Sequence, residues 1–197
     1  MTVPSYDDCL ALMERAAMPV HIKRHSLAVA RVAQALVLAL NRRGLQLDDA
    51  LVHAAALLHD IAKAQCLQSN QDHAKEGARV VTSWGYPRLA PIVRAHVGLW
   101  SYDSSRGLNE ELIVNYADKR VRHDCVVSLN VRFADLAERY ATNDSGRQTL
   151  RQMLEAYRNL EATIAQSLGA TTDELDALVH QTQKESRLQD PAKGQHR

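Results

Sequence analysis

The chain has 197 residues, 46% of them hydrophobic and 24% charged, with a net charge of +1. That length buries a sizeable core, and so even a charge balance supplies no global field for a membrane surface or a stable nucleic-acid partner. No apolar run approaches the roughly 20 residues that span a bilayer, and the N-terminal segment lacks the basic and apolar regions of a signal peptide. Cys9, Cys66 and Cys125 are odd in number and too far apart for a disulfide framework or a zinc knuckle. The expectation is a cytoplasmic protein with reduced thiols.

Helical periodicity dominates, so the expected class is all-α. A short helix is predicted over Tyr6 to Ala16, then a long one opened by Pro19 that runs to Arg43, with Gly44 as its stop. Asp48 and Asp49 signal the start of the next helix, predicted to end near Lys63. It is apolar on every side, so it should be the central, buried one. Ala64 to Gln71 reads as a loop. Asp72 caps a helix to about Trp84, Gly85-Tyr86-Pro87 is a stop and restart, and the next helix runs from Pro87 to about Val97. After a loop from Gly98 to Gly107, helices are predicted from Asn109 to Arg122 and from Cys125 to Tyr140. Asn143 to Gly146 is a turn. A long amphipathic helix then carries Leu150, Met153, Leu154, Tyr157, Leu160, Ile164 and Leu168 on one face, and Thr172 caps a last short helix. One domain is expected over 1–185, with a disordered tail over 186–197, which has almost no apolar content.

Several polar residues fall on the apolar stripes. His25 is in line with Ile22, Val29, Val32 and Leu36; His73 with Gly77 and Val81; His96 with Ile92 and Val93. Asp118 closes the run Leu112-Ile113-Val114-Asn115-Tyr116-Ala117, and His59-Asp60 sits in the central apolar segment. A lone histidine on such a stripe is more often a hydrogen-bonded core residue than a ligand. Six inward His and Asp residues on five helices would each need a separate partner, whereas one or two divalent cations satisfy them together. Imidazole with carboxylate suits Fe, Mn, Co, Ni or Zn better than Ca or Mg, and Fe, Mn, Co or Ni is expected ahead of Mg or Zn.

The order His25, His59-Asp60, Asp118 resembles the HD-domain superfamily of metal-dependent phosphohydrolases. The contexts that carry the resemblance are Arg24-His25-Ser26-Leu27-Ala28, Ala56-Leu57-Leu58-His59-Asp60-Ile61-Ala62-Lys63 and Tyr116-Ala117-Asp118-Lys119. It covers about Val20 to Tyr140 and implies an HD-domain helical bundle in which His25, His59, Asp60 and Asp118 hold one metal. His73 and His96 resemble the added ligands of a two-metal subset, which includes the bacterial symmetrical dinucleoside-tetraphosphate hydrolases. The implied activity is hydrolysis of a phosphoester or phosphoanhydride in a nucleotide or other small phosphorylated metabolite, by a metal-activated water. The alternative is a nucleotide-binding sensor module without turnover.

Lys63, four residues after His59, is the first choice for a phosphate contact and an accessory catalytic residue beside Asp60. Lys119 and Arg122 near Asp118, and Arg24 next to His25, are further substrate-binding candidates. His21 and His53 lie one or two turns from ligands. Trp100 and Tyr102 in the loop could stack on a base. Oligomeric state is open.

Overall fold

The computed structural model describes residues 2–69, 71–99, 103 and 106–189. Its elements, in order, are α1 (Tyr6–Arg15), α2 (Val20–Arg42), α3 (Asp49–Leu58), α4 (Lys63–Ser69), α5 (His73–Ser83), α6 (Ala90–Ala95) and α7 (Glu110–Lys119). A small hairpin of β1 (Val121–Arg122) and β2 (Cys125–Val126) follows, then α8 (Leu129–Tyr140), α9 (Asp144–Leu168) and α10 (Thr172–Gln189). The architecture is an all-α bundle. α3 is central: from Leu51 onward every side chain but that of His53 is buried, and it is flanked by α1, α2, α6 and α7. None of the helices is long and apolar enough to cross a membrane among the described residues.

The helix starts follow from short polar side chains that accept from otherwise unpaired N–H groups. Ser5 and Asp8 form a reciprocal capping box on α1. Asp48, Asp72, Asn109, Ser128 and Asn143 cap α3, α5, α7, α8 and α9. Thr171, rather than the expected Thr172, caps α10 by accepting from the Glu174 amide, while Glu174 accepts from the Thr171 amide. Gly44 and Gly85 end their helices at φ +98° and +92°, conformations that a residue with a Cβ rarely adopts.

Several boundaries differ from expectation. The central helix stops at Leu58 instead of Lys63. Ile61 N–H donates to Leu58 O at 3.1 Å and Lys63 N–H to Asp60 O at 3.0 Å, so residues 59–62 form tight turns. No glycine or proline marks this break, because Ile61 and Ala62 stay buried and the apolar run continues through it. The expected loop from Ala64 to Gln71 is instead largely the helix α4, held inward by the buried Cys66 and packed on α5. The helix expected from Pro87 to Val97 is regular only over α6. The helices expected to run to Arg122 and from Cys125 are interrupted by the hairpin, whose turn places His123 at φ 57°. Arg120 causes the interruption: it is fully buried, and its backbone and guanidinium both bond Val127. α10 is not short and carries on to Gln189; the remainder of the expected tail lies outside the described residues, as do Trp100 and Tyr102.

Gly77 lets α5 and α6 approach closely beneath the His59 turn. A Cβ there would sit 3.0 Å from Val93 Cγ1 and 3.8 Å from the His59 carbonyl oxygen. Gly77→Val is therefore expected to cost about 1–3 kcal/mol through overpacking, read as a lower urea midpoint at unchanged slope. An unchanged midpoint would mean that the two helices separate freely.

Candidate metal centre

Five segments converge on one buried point. α2 supplies His25, the turn after α3 supplies His59 and Asp60, α5 supplies His73, the C-terminal end of α6 supplies His96, and α7 supplies Asp118. His25, His59, Asp60, His96 and Asp118 are all buried, and His73 is partly so. Among the described residues, donor atoms of His25, His59 and Asp118 lie within 4.8 Å of one another, as do those of His59, Asp60 and His96.

Asp60 stands between two sets of imidazoles. Its Oδ2 lies 3.4 Å from His59 Nε2 and 4.0 Å from His25 Nε2. Its Oδ1 lies 3.5 Å from His73 Nε2 and 3.4 Å from His96 Nε2. Asp118 Oδ1 completes the first set, 2.9 Å from His25 Nε2 and 3.6 Å from His59 Nε2.

The backbone fixes which ring nitrogen is turned inward. Nδ1 of His25 is 2.7 Å from His123 O, Nδ1 of His59 is 2.7 Å from Ala56 O, and Nδ1 of His96 is 2.6 Å from Val93 O. A carbonyl only accepts, so each Nδ1 carries the proton, and the neutral imidazole then presents an Nε2 lone pair to the centre. These lone pairs face carboxylate oxygens, which are also acceptors. His59 Nε2 and Asp60 Oδ1 are buried without any hydrogen-bond partner among the described residues. Lysine ammoniums reach Asp60 Oδ2 and Asp118 Oδ2, but the atoms left facing one another at the centre are acceptors, so this donor set fits a divalent metal.

The charges support that fit. Burial alone would push the Asp60 and Asp118 carboxyls up, yet the positive and hydrogen-bonding groups around them, Lys63 and Lys119 among them, hold both well below the usual carboxylate range. Burial pushes the His73 imidazole down to about 4, so at neutral pH it keeps its lone pair. Lys63 Nζ donates to Asp60 Oδ2 at 2.7 Å. Burial draws that ammonium down, yet Asp60 and Asp118 raise it overall. Lys119, fully enclosed, donates to Asp118 Oδ2 at 2.5 Å and to His96 O at 3.0 Å, and burial lowers it.

A cavity of about 440 Å³ opens onto this centre, and Asp60, His73, His96 and Asp118 form part of its wall together with Lys63 and Lys119. Arg24 and Arg122 are not among its lining residues. His21 is exposed, and His53 stacks on the Tyr6 ring with centroids 5.8 Å apart.

Two residues important to the site were missed in the sequence. Asn115 Nδ2 donates to Ala95 O at 2.8 Å and Gly98 O at 3.2 Å while its Oδ1 accepts from the Tyr157 hydroxyl, fixing the turn that carries His96. Arg132 lines the cavity from α8. It shares an inward face with Leu129 and Leu136, the same stripe signal that picks out the histidines.

The HD domain family model matches residues 22–124, a segment that takes in all six converging residues. An uncharacterized protein of Methanocaldococcus jannaschii is 33% identical over 79 residues, 40% of this chain and 46% of that protein. The matched segment thus spans less than half of the relative's length. No solved structure matches the chain.

Proposed function

Because this chain belongs to the HD domain family, we propose that it is a metal-dependent phosphohydrolase that cleaves a phosphoester or phosphoanhydride of a nucleotide or other small phosphorylated metabolite. The observation that carries this reading is the convergence of imidazole lone pairs and carboxylate oxygens with two orphaned acceptors, at the wall of an open cavity. In the proposal His25, His59, Asp60 and Asp118 hold one ion, and Asp60, His73 and His96 hold a second. The two oxygens of Asp60 face different histidine pairs, which supports two ions with this carboxylate between them. The imidazole-rich donors suit a transition metal better than Mg, and Fe, Mn, Co or Ni is proposed ahead of Zn. A divalent cation bound there supplies acidity to a water molecule and offsets charge that develops on the phosphoryl group.

The protein's own groups do the rest. Asp60 holds the Lys63 ammonium at the cavity wall, where it meets an incoming phosphoryl oxygen. Lys119 holds the Asp118 carboxylate and the His96 carbonyl in fixed relation. The proposed functional unit is residues 1–185, with α8 to α10 as its C-terminal extension.

Two tests apply. Metal-reconstituted protein should hydrolyse phosphate esters; a loaded protein inert towards a broad phosphate-ester panel would support the sensor reading instead. His96→Ala should lower bound metal to about half while leaving the first ion, measured by elemental analysis. Unchanged stoichiometry would return His96 to a purely structural role.

A further inference from the structure

The family match ends at residue 124, but the cavity does not. Its far wall is built from α8 and α9: Arg132, Leu136 and Tyr140 from the first, Leu150 and Met153 from the second. Arg132 is 9% exposed, yet its Nε is buried with no hydrogen-bond partner among the described residues. Its Nη1 donates to Asp135 Oδ2 at 3.0 Å, and Asp135 is shared with Arg139 at 2.9 Å. A buried guanidinium N–H left unpaired is costly unless a ligand oxygen arrives to accept from it. Around this arginine the wall is apolar, and two apolar side chains at the cavity's edge lie open to solvent, Leu67 at 74% and Tyr140 at 64% exposed. Beyond the metal cluster and the cations, Gln71 and the Tyr140 hydroxyl are the only uncharged oxygen- or nitrogen-bearing side chains among the described lining residues. Among the described lining residues that inventory favours an apolar group over a polyhydroxylated one.

We propose that α8 and α9 form the specificity wall of the site: Arg132 grips an anionic oxygen of the substrate's phosphoryl end, and the Leu136, Tyr140, Leu150 and Met153 surface receives an apolar or aromatic organic part. The substrate class is accordingly a phosphate ester with an apolar or aromatic body. This inference rests on the phosphohydrolase reading of the same cavity. It assigns binding to a segment outside the family match, so the extension reads the substrate while the matched segment holds the metal.

The test uses the full chain loaded with Mn and two non-hydrolysable probes with the same anionic head, phenylphosphonate and methylphosphonate. Calorimetry should show phenylphosphonate binding about tenfold or more tighter, from the buried ring. Arg132→Gln should weaken both probes by about tenfold or more, because a hydrogen bond to a charged group is lost, with bound Mn unchanged. Met153→Ser, at a half-buried position, should narrow the gap between the probes and leave methylphosphonate binding as it was. Equal affinity for the two probes, or an Arg132→Gln protein that binds both as the parent does, overturns the inference. Hydrolysis of p-nitrophenyl phosphate by the parent separates the two failures. Turnover with equal probe affinities sinks the wall alone, and neither binding nor turnover sinks the phosphohydrolase reading with it.

Discussion

Asp60→Ala is expected to strip the metal and abolish phosphate-ester hydrolysis together. In the proposed centre this is the one residue that serves both ions, so its loss dismantles both positions. The loss of activity should be at least about a hundredfold, the upper end of what removing a mere supporting partner of a ligand costs. Stability separates this outcome from simple misfolding. In metal-free protein Asp60 is a buried carboxylate with one orphaned oxygen and the other paired with Lys63. Its partner Lys63 is about one-third exposed and can swing into water once the carboxylate is gone. Because the folded surroundings favour the charged form of Asp60, the metal-free variant should unfold somewhat more easily than the metal-free parent, by less than about 3 kcal/mol because Lys63 regains water, and still cooperatively. Metal addition should stabilise the parent and not the variant. Retained turnover in Asp60→Ala would remove the metal mechanism.

Arg120→Ala is expected to have the largest effect on folding. The side chain is fully buried and ties four elements together. Its Nε donates to Val127 O at 2.9 Å beyond the hairpin, Nη1 to the Tyr116 hydroxyl at 2.7 Å and Glu161 at 3.1 Å, and Nη2 to Asp176 at 2.5 Å. Removing the arginine leaves the Val127 carbonyl without its side-chain donor and the Glu161 and Asp176 carboxylates without their counter-charge, while the Tyr116 hydroxyl still donates to Glu161. Glu161 and Asp176 are 20% and 46% exposed, so water recovers part of the loss. The expected cost is about 3 kcal/mol, the lower end for breaking a buried pair. Arg120→Lys should rescue little, because an ammonium cannot serve acceptors in three directions from one planar fork. Because Arg120 ends the helix that carries Asp118 and Lys119, metal affinity should fall too. A urea midpoint that moves by less than the equivalent of about 1 kcal/mol would show that the network contributes little net stability.

The helices and the six converging residues were legible in the sequence because both are written in one code, the apolar stripe. His25, His73 and His96 stand where Leu or Val would otherwise stand, and the structure brings all three inward. Their proximity to Asp60 and Asp118 was not legible, since it depends on how separate helices cross. The same code hid the break after Leu58. Ile61 and Ala62 remain buried on both sides of it, so hydrophobicity runs on while the backbone turns. The break has a consequence for the site: it turns His59 and Asp60 out of the regular helix. The hairpin at residues 121–126 was hidden for another reason. Its turn uses His123 at positive φ instead of glycine, and it is held by Arg120, which is buried and which nothing in the sequence singles out. Arg24 and Arg122 were chosen by adjacency to a ligand in sequence, and neither lines the cavity. Lys119 and Arg132 do, each on an inward helical face. Face, not adjacency, decides which cations meet a ligand.

The most direct test is the metal content of the purified chain, measured by elemental analysis after preparation without chelators. About two transition-metal ions per chain are predicted, the number that a symmetric pair of sites around one carboxylate would hold. A chain that binds none, even after incubation with Mn, Fe, Co and Ni, would contradict the account and leave the converging histidines and aspartates as an unexplained buried polar cluster.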